Sequence, residues 1–408
     1  MHQIRKTNSM KKSIAIIGGG AGALLLAAHL NSSLYSITIY EKNAAPGRKL
    51  LVAGDGGFNL THSEEVGQFI SRYSPSSFIE KSMLSFTNTD LRNWLKSIGI
   101  ETYIGSSKRV FPLNGIKPID VLNAILAVLK QNKVIIETQH TWQGWSSEGE
   151  LILEHNSEQI HVKPDITVFA LGGGSWKITG SEGSWLSYFE QKGIKTIPFM
   201  PSNCAVQINW NKEFLLKAEG KSIKNIAMKS DTAERKGECV ITQFGMEGGA
   251  VYALSGAIRK QLRQAEKAII YMDLKPAFTE EEIRNKLSNR GNKSVTKLLE
   301  DNLNLNELQV ALLKSMITKE EFTSLELLAS KIKNLPITIV GLAPIDEAIS
   351  TIGGISLSEV DHTFQFKNLK HNYCIGEMLD WDAPTGGYLL QACFSMGYYL
   401  AQELNNQT

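Results

Sequence analysis

"SIAIIGGGAGALLLAAHLNSSLYSITIYEK", residues 13–42, joins an apolar run, a glycine cluster, an Ala/Leu-rich segment and a second β-prone run ending at Glu41. This order is typical of the strand, glycine turn, helix and strand that open a dinucleotide-binding Rossmann fold. The run from Ser13 to Ile17 does not alternate, which indicates a strand buried on both faces of a parallel sheet. Gly18 permits a tight turn, and Gly20 lets the backbone approach a pyrophosphate.

The rest of the segment fits the same interpretation. The predicted helix would direct its free N–H groups at phosphates, where its dipole favours negative charge. Glu41 lies about twenty residues further on, where an acid binds ribose hydroxyls. A secretory signal and a chance buried βαβ unit are the alternatives, but the glycines interrupt the apolar segment that a signal peptide needs. We expect residues 1–12 to be a disordered N-terminal preface.

Composition points to an ordinary folded protein. The chain has 408 residues, 42% hydrophobic and 21% charged, with a formal net charge of +2. This charge gives no electrostatic argument for a nucleic acid or membrane partner. The four cysteines form no CxxC pair, and the eight histidines show no metal-ligand spacing. We therefore expect a cytoplasmic protein with no metal site.

Three glycine-rich strand exits favour FAD among the dinucleotides. The first is followed by the loop "NAAPGRKLLVAGDGGFNLTHSE", whose Arg48, Lys49 and Asn59 could face a pyrophosphate and ribityl chain. A second predicted strand, residues 165–171, runs directly into Gly172. Near the C-terminus a short strand ends at Gly376, and an apolar helix starts at Tyr388, where its dipole could face the flavin. A flexible basic loop and a helix that only covers the sheet remain alternatives.

These stretches resemble the BaiN/YhiN-type family of FAD-dependent oxidoreductases. The matching motifs are "IAIIGGGAGALLLA", "PGRKLLVAGDGGFNLTHSE", "RVFPLNG", "ALGGGSWKITGSEG", "PSNC", "ITQFGMEGGAVYALSG", "DEAISTIGGI" and "GEMLDWDAPTGGYLLQACFSMG". The resemblance implies an α/β fold, with a Rossmann-like FAD-binding domain of glutathione-reductase type and an inserted small β-barrel plus helical subdomain. The chain departs from the family at residues 54–59, which read Gly-Asp-Gly-Gly-Phe-Asn where most of the family reads Gly-Gly-Gly-Arg-Cys-Asn. The missing Arg and Cys place it in a side branch.

The resemblance also implies a set of FAD contacts. They are Gly18, Gly20, Ala21, Gly22, Glu41, Lys42, Arg48, Lys49, Asn59, Trp142, Ala170, Gly172, Gly376, Glu377, Gly387, Tyr388, Leu389 and Leu390. Trp142 falls at the strand expected to touch the adenine. The predicted domains are residues 13–198 with 336–408 for FAD, and residues 199–335 as the inserted substrate domain.

The expected function is transfer of a hydride between FAD and a small organic substrate. An oxidase passing electrons from an amine-type donor to oxygen is an alternative, and a flavin-bound RNA-modifying or RNA-binding protein is a weaker one. Arg109 and the turn Gly248-Gly249 are candidates to contact the substrate. NAD(P)H stays open as a transient electron donor, and no catalytic base can be named from the sequence.

Overall fold

The structure is a computed structural model that describes residues 11–52, 57–231, 233–289 and 291–407. The chain forms two compact units: the first runs to Met200 and resumes at Thr351, and the second spans Pro201–Ser350. The chain returns to the first unit after Ser350 rather than at residue 336. The reason is that Leu335–Ile339 pairs with Ala268–Asp273 in the second unit's sheet. The predicted preface lies outside the described residues, except for Lys11 and Lys12.

Strands and helices are numbered along the chain. The strands are β1 Lys12–Ile17, β2 Tyr35–Glu41, β3 Thr61–His62, β4 Thr102–Ile104, β5 Arg109–Pro112, β6 Ile135–Thr138, β7 Thr141–Trp145, β8 Leu151–His155, β9 Glu158–Val162, β10 Ile166–Phe169, β11 Thr196–Ser202, β12 Val206–Gln207, β13 Ser222–Lys229, β14 Glu234–Thr242, β15 Gly245–Glu247, β16 Ala268–Asp273, β17 Leu335–Ile339, β18 Gly341–Leu342, β19 Ser350–Ile355 and β20 Asn372–Cys374. The helices are α1 Ala21–His29, α2 Arg48–Val52, α3 Val66–Ile70, α4 Ser76–Ser85, α5 Asn88–Ser97, α6 Pro118–Gln131, α7 Leu186–Gln191, α8 Lys212–Ala218, α9 Gly249–Tyr252, α10 Ser255–Gln264, α11 Glu280–Ser288, α12 Val295–Leu303, α13 Glu307–Met316, α14 Lys319–Thr323, α15 Leu325–Lys333 and α16 Tyr388–Asn406.

The first unit is built on a parallel sheet in the order β20-β10-β1-β2-β6. Each neighbouring pair in this sheet is parallel. The residues from Ile14 to Ile17 are all buried, as expected for a central strand covered on both faces. The glycine turns after β1, β10 and β20 therefore lie at the same carboxyl edge of the sheet. This edge is where open α/β sheets bind their ligands.

Helices α1 and α16 cover the sheet and pack closely on each other. A Cβ on Gly397 would lie only 2.4 Å from the carbonyl oxygen of Gly22, so this crossing needs glycine. Two three-stranded antiparallel sheets flank the main sheet, in the orders β7-β8-β9 and β3-β5-β4. The second of these brings the start of α16 close to β3, as described below. The fold class predicted from the sequence is confirmed as α/β with a Rossmann-type domain.

The second unit is a separate antiparallel sheet with helices. Its strand order is β17-β16-β13-β14-β15-β12-β18, and it has its own hydrophobic core. The edge strands β17 and β18 follow each other in the chain with only Val340 between them. The sheet must therefore curve until its two edges meet. Helices α11 to α15 supply the buried leucines that cover one side of it, including Leu287, Leu298 and Leu313.

Candidate functional site

The turn between β1 and α1 has the shape of a phosphate site. The backbone of Gly18 has φ +101° and its N–H donates to the Tyr40 carbonyl at 2.8 Å. A Cβ on Gly18 would lie 2.4 Å from the Ala170 oxygen, so the turns after β1 and β10 touch here. Gly20 is exposed, and a Cβ there would have no atom nearer than 4.0 Å.

Helix α1 begins directly beyond this open space. No side chain caps its N-terminus, and its first turn carries no acidic residue. The N–H groups of the first turn are therefore available to an anion, which the helix dipole also favours. A side chain at Gly20 would fill the same space. These residues fit a dinucleotide pyrophosphate.

Glu41 is positioned at the end of β2 with part of its acceptor capacity already used. The residue is 8% exposed. One oxygen accepts from the Gly19 N–H at 2.8 Å, and the other accepts from the backbone and side-chain nitrogens of Asn43 at 2.8 and 2.7 Å. Since a carboxylate has about four acceptor sites, capacity is left for a ribose hydroxyl. The bonds to the protein fix its orientation beside the glycine turn.

The predicted cations of the loop after β2 each have a protein partner. Lys42 pairs with Glu182 at 2.6 Å, and this interaction lowers the pKa of the Glu182 carboxyl. Arg48 donates to the Asn43 side-chain oxygen at 3.0 Å. The Asn59 amide donates to the Gly57 carbonyl at 3.3 Å. The stretch that differs from the family motif is only partly described, because residues 53–56 lie outside the described residues.

Lys49 and Glu377 form an ion pair between the two ends of the first unit. The Lys49 ammonium lies 2.8 Å from the Glu377 carboxylate and 3.1 Å from the Ser175 hydroxyl. Glu377 is 7% exposed, and its other oxygen accepts from the Thr351 N–H at 3.1 Å. Burial raises the pKa of the neighbouring Cys393 thiol to about 12, so this cysteine is no thiolate nucleophile at neutral pH. Sequence analysis proposed both partners of the pair, but not that they bind each other.

The remaining glycine turns follow β10 and β20. The Ala170 N–H donates to the Ile17 carbonyl at 2.8 Å, and Gly172 has φ +75°. Gly376 also has a positive φ, and its carbonyl accepts from the Trp381 indole at 2.9 Å. All these turns lie beside the first glycine turn at the carboxyl edge of the sheet, as the strand order requires.

The start of α16 rests on strand β3. Gly387 has φ +96°, and a Cβ there would lie 2.6–2.8 Å from backbone atoms of Thr61. Tyr388 is buried, and no side chain caps this helix either. Leu389 and Leu390 are half-buried in its first turn. The backbone N–H groups in the first turn of α16 are thus available to bind an anion, like those in the first turn of α1.

A polar cluster beside this helix start was missed by sequence analysis. It consists of His62, Glu64, Arg72, Arg109 and Tyr388. The His62 ring stacks on the Tyr388 ring with centroids 5.2 Å apart, and the Tyr388 hydroxyl donates to Glu64 at 2.9 Å. Arg72 binds Glu64 through two nitrogens. The signal was present in "NLTHSE", but only strand pairing of β3 with β5 brings Arg109 opposite His62.

Electrostatics in this cluster follow from burial and pairing. Burial opposes ionisation of Glu64, but hydrogen bonds from Arg72 and Tyr388 outweigh it and hold the pKa of Glu64 below its ordinary value. Burial lowers the pKa of His62, with the Glu64 charge acting against this effect. Hence His62 is neutral at pH 7, and Glu64 is ionised.

Trp142 has little ring surface available for a ligand. It is 6% exposed and packs against Trp145, Phe169 and Phe189, with centroids 4.8–5.4 Å apart. The predicted adenine contact would therefore have to come from the backbone of β7. The Trp142 side chain itself belongs to an aromatic core.

The three predicted substrate residues lie in different units. Arg109 belongs to the first unit, and Gly248 and Gly249 belong to the second. A Cβ on Gly248 would lie 3.1 Å from the Glu238 carbonyl oxygen, which gives this glycine a packing role against β14. Gly249 is exposed at the start of the four-residue helix α9.

The described part of the chain offers neither a metal site nor a membrane span. Across residues 11–52, 57–231, 233–289 and 291–407, no group of three or more His, Cys, Asp or Glu side chains could hold a metal ion. All four cysteines are free and buried. No helix in these ranges is both long and apolar enough to cross a membrane.

Comparison with known proteins places the chain among Rossmann-domain proteins. The family described as "HI0933-like protein Rossmann domain" matches residues 12–403. A 3-dehydro-bile acid delta(4,6)-reductase of Clostridium scindens is 25% identical, with 94% of this chain and 97% of the relative covered. A ribosomal RNA dihydrouridine synthase of Haemophilus influenzae is 24% identical over 96% of this chain and 98% of its own. The Escherichia coli protein of the same name is 22% identical, with 95% and 97% covered.

A solved structure extends the likeness to the fold. The 3-ketosteroid delta1-dehydrogenase of Sterolibacterium denitrificans superposes with a TM-score of 0.52 and 11% identity. The match covers 98% of this chain and 100% of the other. At this identity the likeness concerns the fold alone.

Proposed function

Since this chain belongs to the HI0933-like Rossmann-domain family, we propose that it is an FAD-dependent oxidoreductase that transfers a hydride between flavin and a small organic substrate. One observation carries the proposal: the turns after β1, β10 and β20 meet at one edge of a parallel sheet, with two uncapped helix N-termini in the same unit. One extended dinucleotide accounts for all of these features. Bound FAD would supply the hydride chemistry.

The residues of the first unit have distinct parts in this proposal. Gly20 and the α1 N-terminus would hold the pyrophosphate, and Glu41 would bind the adenosine ribose. Glu377 holds the Lys49 ammonium in place, and the third Lys49 donor is left for the cofactor. The uncapped start of α16 would favour negative charge on the flavin side.

The names of the relatives favour reduction over oxidation. Both the bile acid reductase and the dihydrouridine synthases are named for adding hydrogen across a carbon–carbon double bond. The 4,6-unsaturated 3-dehydro bile acid and uridine both have this bond conjugated to a carbonyl group, which makes its far carbon electrophilic. We therefore propose an unsaturated carbonyl compound as the substrate class. NAD(P)H as donor stays a prediction.

Two measurements test the proposal. The purified protein should release FAD, not FMN, on denaturation. Its flavin, reduced anaerobically with dithionite, should be reoxidised by cyclic enones under argon. If an amine panel reduces the flavin and only oxygen reoxidises it, the oxidase alternative replaces this one. Absence of bound or bindable FAD would overturn the cofactor assignment.

A second candidate is reduction of uridine in ribosomal RNA, which the names of two relatives favour. The net charge of +2 gives no support to an RNA surface, and the absence of a nucleic acid partner stays a prediction. Incubation of the reduced holoprotein with ribosomal RNA, followed by nucleoside mass spectrometry, separates the two candidates. New dihydrouridine would favour RNA as the substrate.

A further inference from the structure

We infer that Arg109 anchors an anionic oxygen of the substrate, either a carboxylate or a carbonyl oxygen that gains negative charge during reduction. This inference rests on the proposed function and names the chemistry that its substrate must present. It depends on the charge balance of the polar cluster at the start of α16. The two sources of anionic oxygen are separated by the experiment below.

Among the residues that the structure describes, Arg109 differs from four other cations of the first unit in having no protein partner. Each of the others contacts an acceptor on the protein: Lys42 with Glu182, Arg48 with Asn43, Lys49 with Glu377 and Arg72 with Glu64. Within the described part of the chain, the Arg109 guanidinium has neither a hydrogen bond nor an ion pair. It is also half-buried, so its charge is incompletely solvated and an anionic ligand would compensate it.

The guanidinium is held at a defined place. Arg109 stands opposite His62 in the β3-β5 ladder. A Cβ on Gly386 would lie 3.2 Å from its Nε, so the side chain lies against the residue that precedes the α16 N-cap. The dipole of this 19-residue helix favours negative charge at the same end.

A second polar group without a partner lies close by. The Thr61 hydroxyl is fully buried and makes no hydrogen bond to any described residue. The backbone of Thr61 is the surface against which Gly387 packs. In the β3-β5 ladder Thr61 pairs with Val110 and His62 pairs with Arg109, so the Thr61 side chain lies on the face opposite to Arg109. The Thr61 hydroxyl is therefore not counted as a contact of the same anion.

The neighbouring charges do not neutralise Arg109. Glu64 is the carboxylate of this cluster, and its oxygens are already bound by Arg72 and the Tyr388 hydroxyl. The His62 Nδ1 accepts from the Glu64 N–H at 3.2 Å, which keeps a lone pair on that nitrogen in the neutral ring. The cluster therefore presents one uncompensated positive charge.

The chemistry of the proposed reaction has a use for this charge. When a hydride adds to the far carbon of an unsaturated carbonyl compound, the electron pair of the double bond moves to the carbonyl oxygen. A proton from water then completes the saturated product. A fixed guanidinium beside that oxygen would stabilise the developing negative charge. A substrate carboxylate would be held by the same bidentate donors.

The test uses the FAD-bound protein and its visible spectrum. The spectrum is titrated with benzoate as a simple carboxylate and with 4-chlorophenolate as a stand-in for an enolate oxygen. Wild type should give a saturable change with at least one probe, and Arg109→Met should weaken that probe's binding at least tenfold. Arg109→Lys should retain part of the affinity, because lysine keeps the positive charge but cannot donate the two parallel hydrogen bonds of a guanidinium. The probe that depends on Arg109 identifies which source of anionic oxygen is bound.

Arg92→Met is the matched control. Arg92 is a half-buried arginine of the same unit, but it donates to the Thr102 hydroxyl at 3.0 Å. The Arg92→Met variant should bind both probes with the same affinity as wild type. The inference is overturned if wild type shows no saturable change, or if Arg109→Met binds the probes like wild type. It is equally overturned if Arg109→Met loses FAD while Arg92→Met keeps it, because Arg109 would then serve the cofactor. Failure of the proposed function is distinct, since wild type would then hold no FAD.

Discussion

At the scale of single residues, the site depends on positions where a side chain would occupy ligand space. Gly20 is such a position, because a Cβ there would meet no protein atom closer than 4.0 Å. Gly18 is different, since a Cβ would lie 2.4 Å from the Ala170 oxygen and disturb the fold itself. A substitution at Gly20 therefore separates cofactor binding from stability.

We expect Gly20→Val to fold normally and to lose FAD. The branched side chain has room in the protein, but it would fill the space at the N-terminus of α1. The flavin-to-protein ratio after purification should fall at least tenfold, with an unchanged circular dichroism spectrum. Gly249→Val is the control, since that exposed glycine also has nothing within 4 Å. Full FAD retention in Gly20→Val would show that the pyrophosphate lies elsewhere.

Asp165 is expected to make a pH-dependent contribution to the free energy of unfolding. Its carboxylate accepts from the Ser13 N–H and hydroxyl at 2.7 Å each, and these bonds lower its pKa. Because the pKa is lower in the folded state, the ionised carboxylate stabilises the fold at pH values above its ordinary pKa of about 3.9. This stabilisation is lost as the pH falls through the lower pKa of the folded state.

Asp165→Ala should therefore be destabilised at pH 7 by about 0.5–1 kcal/mol, since solvent screens the bonds of this exposed carboxylate. In urea unfolding the difference from wild type should shrink below pH 4. The double variant with Ser13→Ala should be less stable than Asp165→Ala alone, because the Ser13 hydroxyl also accepts from the backbone N–H of residue 165 at 2.9 Å. A difference that stays constant from pH 7 to pH 3 would contradict the assignment.

At the scale of elements, sequence analysis placed the strands and turns of the parallel sheet well. The apolar run at Ser13–Ile17 and the glycines after it have few alternative structures. The structure has the chain return to the first unit after Ser350, later than the predicted residue 336. The apolar strand Leu335–Ile339 suits either sheet by composition, and its pairing with β16 assigns it to the second. Likewise, no local pattern shows that Lys49 and Glu377 form an ion pair. Such partners meet only through the topology.

The contact between α16 and β3 should be sensitive to one methyl group. Gly387→Ala combines a positive φ of +96° with a Cβ 2.6–2.8 Å from the Thr61 backbone. We expect a loss of about 2–4 kcal/mol in unfolding free energy, since strain and displacement add. Gly115→Ala is matched to it, because Gly115 also has φ +96° but nothing within 4 Å.

Gly115→Ala should cost only about 1–2 kcal/mol, the cost of the backbone conformation. Chemical denaturation of both variants measures the difference. Equal losses in the two variants would mean that the start of α16 can move away from β3 without cost.

At the scale of the whole molecule, the second unit offers no second dinucleotide fold. Each strand pair recorded in its seven-stranded sheet is antiparallel, so its described residues contain no parallel βαβ unit. Parallel strands joined through a helix are what place a glycine turn beneath a nucleotide. The second unit is thus suited to another task, and we propose contact with the substrate.

A nicotinamide donor should accordingly bind weakly. In stopped-flow reduction under argon, the observed rate should rise with NADH or NADPH without saturating in the low micromolar range. Saturation there, equivalent to about −8 kcal/mol of binding free energy, would reveal a dedicated nicotinamide site. Apparent affinities in the millimolar range or an absence of reduction would agree with the expectation.

The discontinuity of the first unit has a consequence for how the chain folds as it leaves the ribosome. The sheet needs β20, and α1 needs α16, yet both follow the entire second unit in the sequence. The second unit has its own core and is complete in the nascent chain once Ser350 has emerged. The earlier-made 200 residues must wait for the last 58 before their sheet closes. Synthesis therefore leaves the apolar face of α1 that packs on α16 uncovered until the last helix has emerged, and transiently exposed apolar surface of this kind favours aggregation.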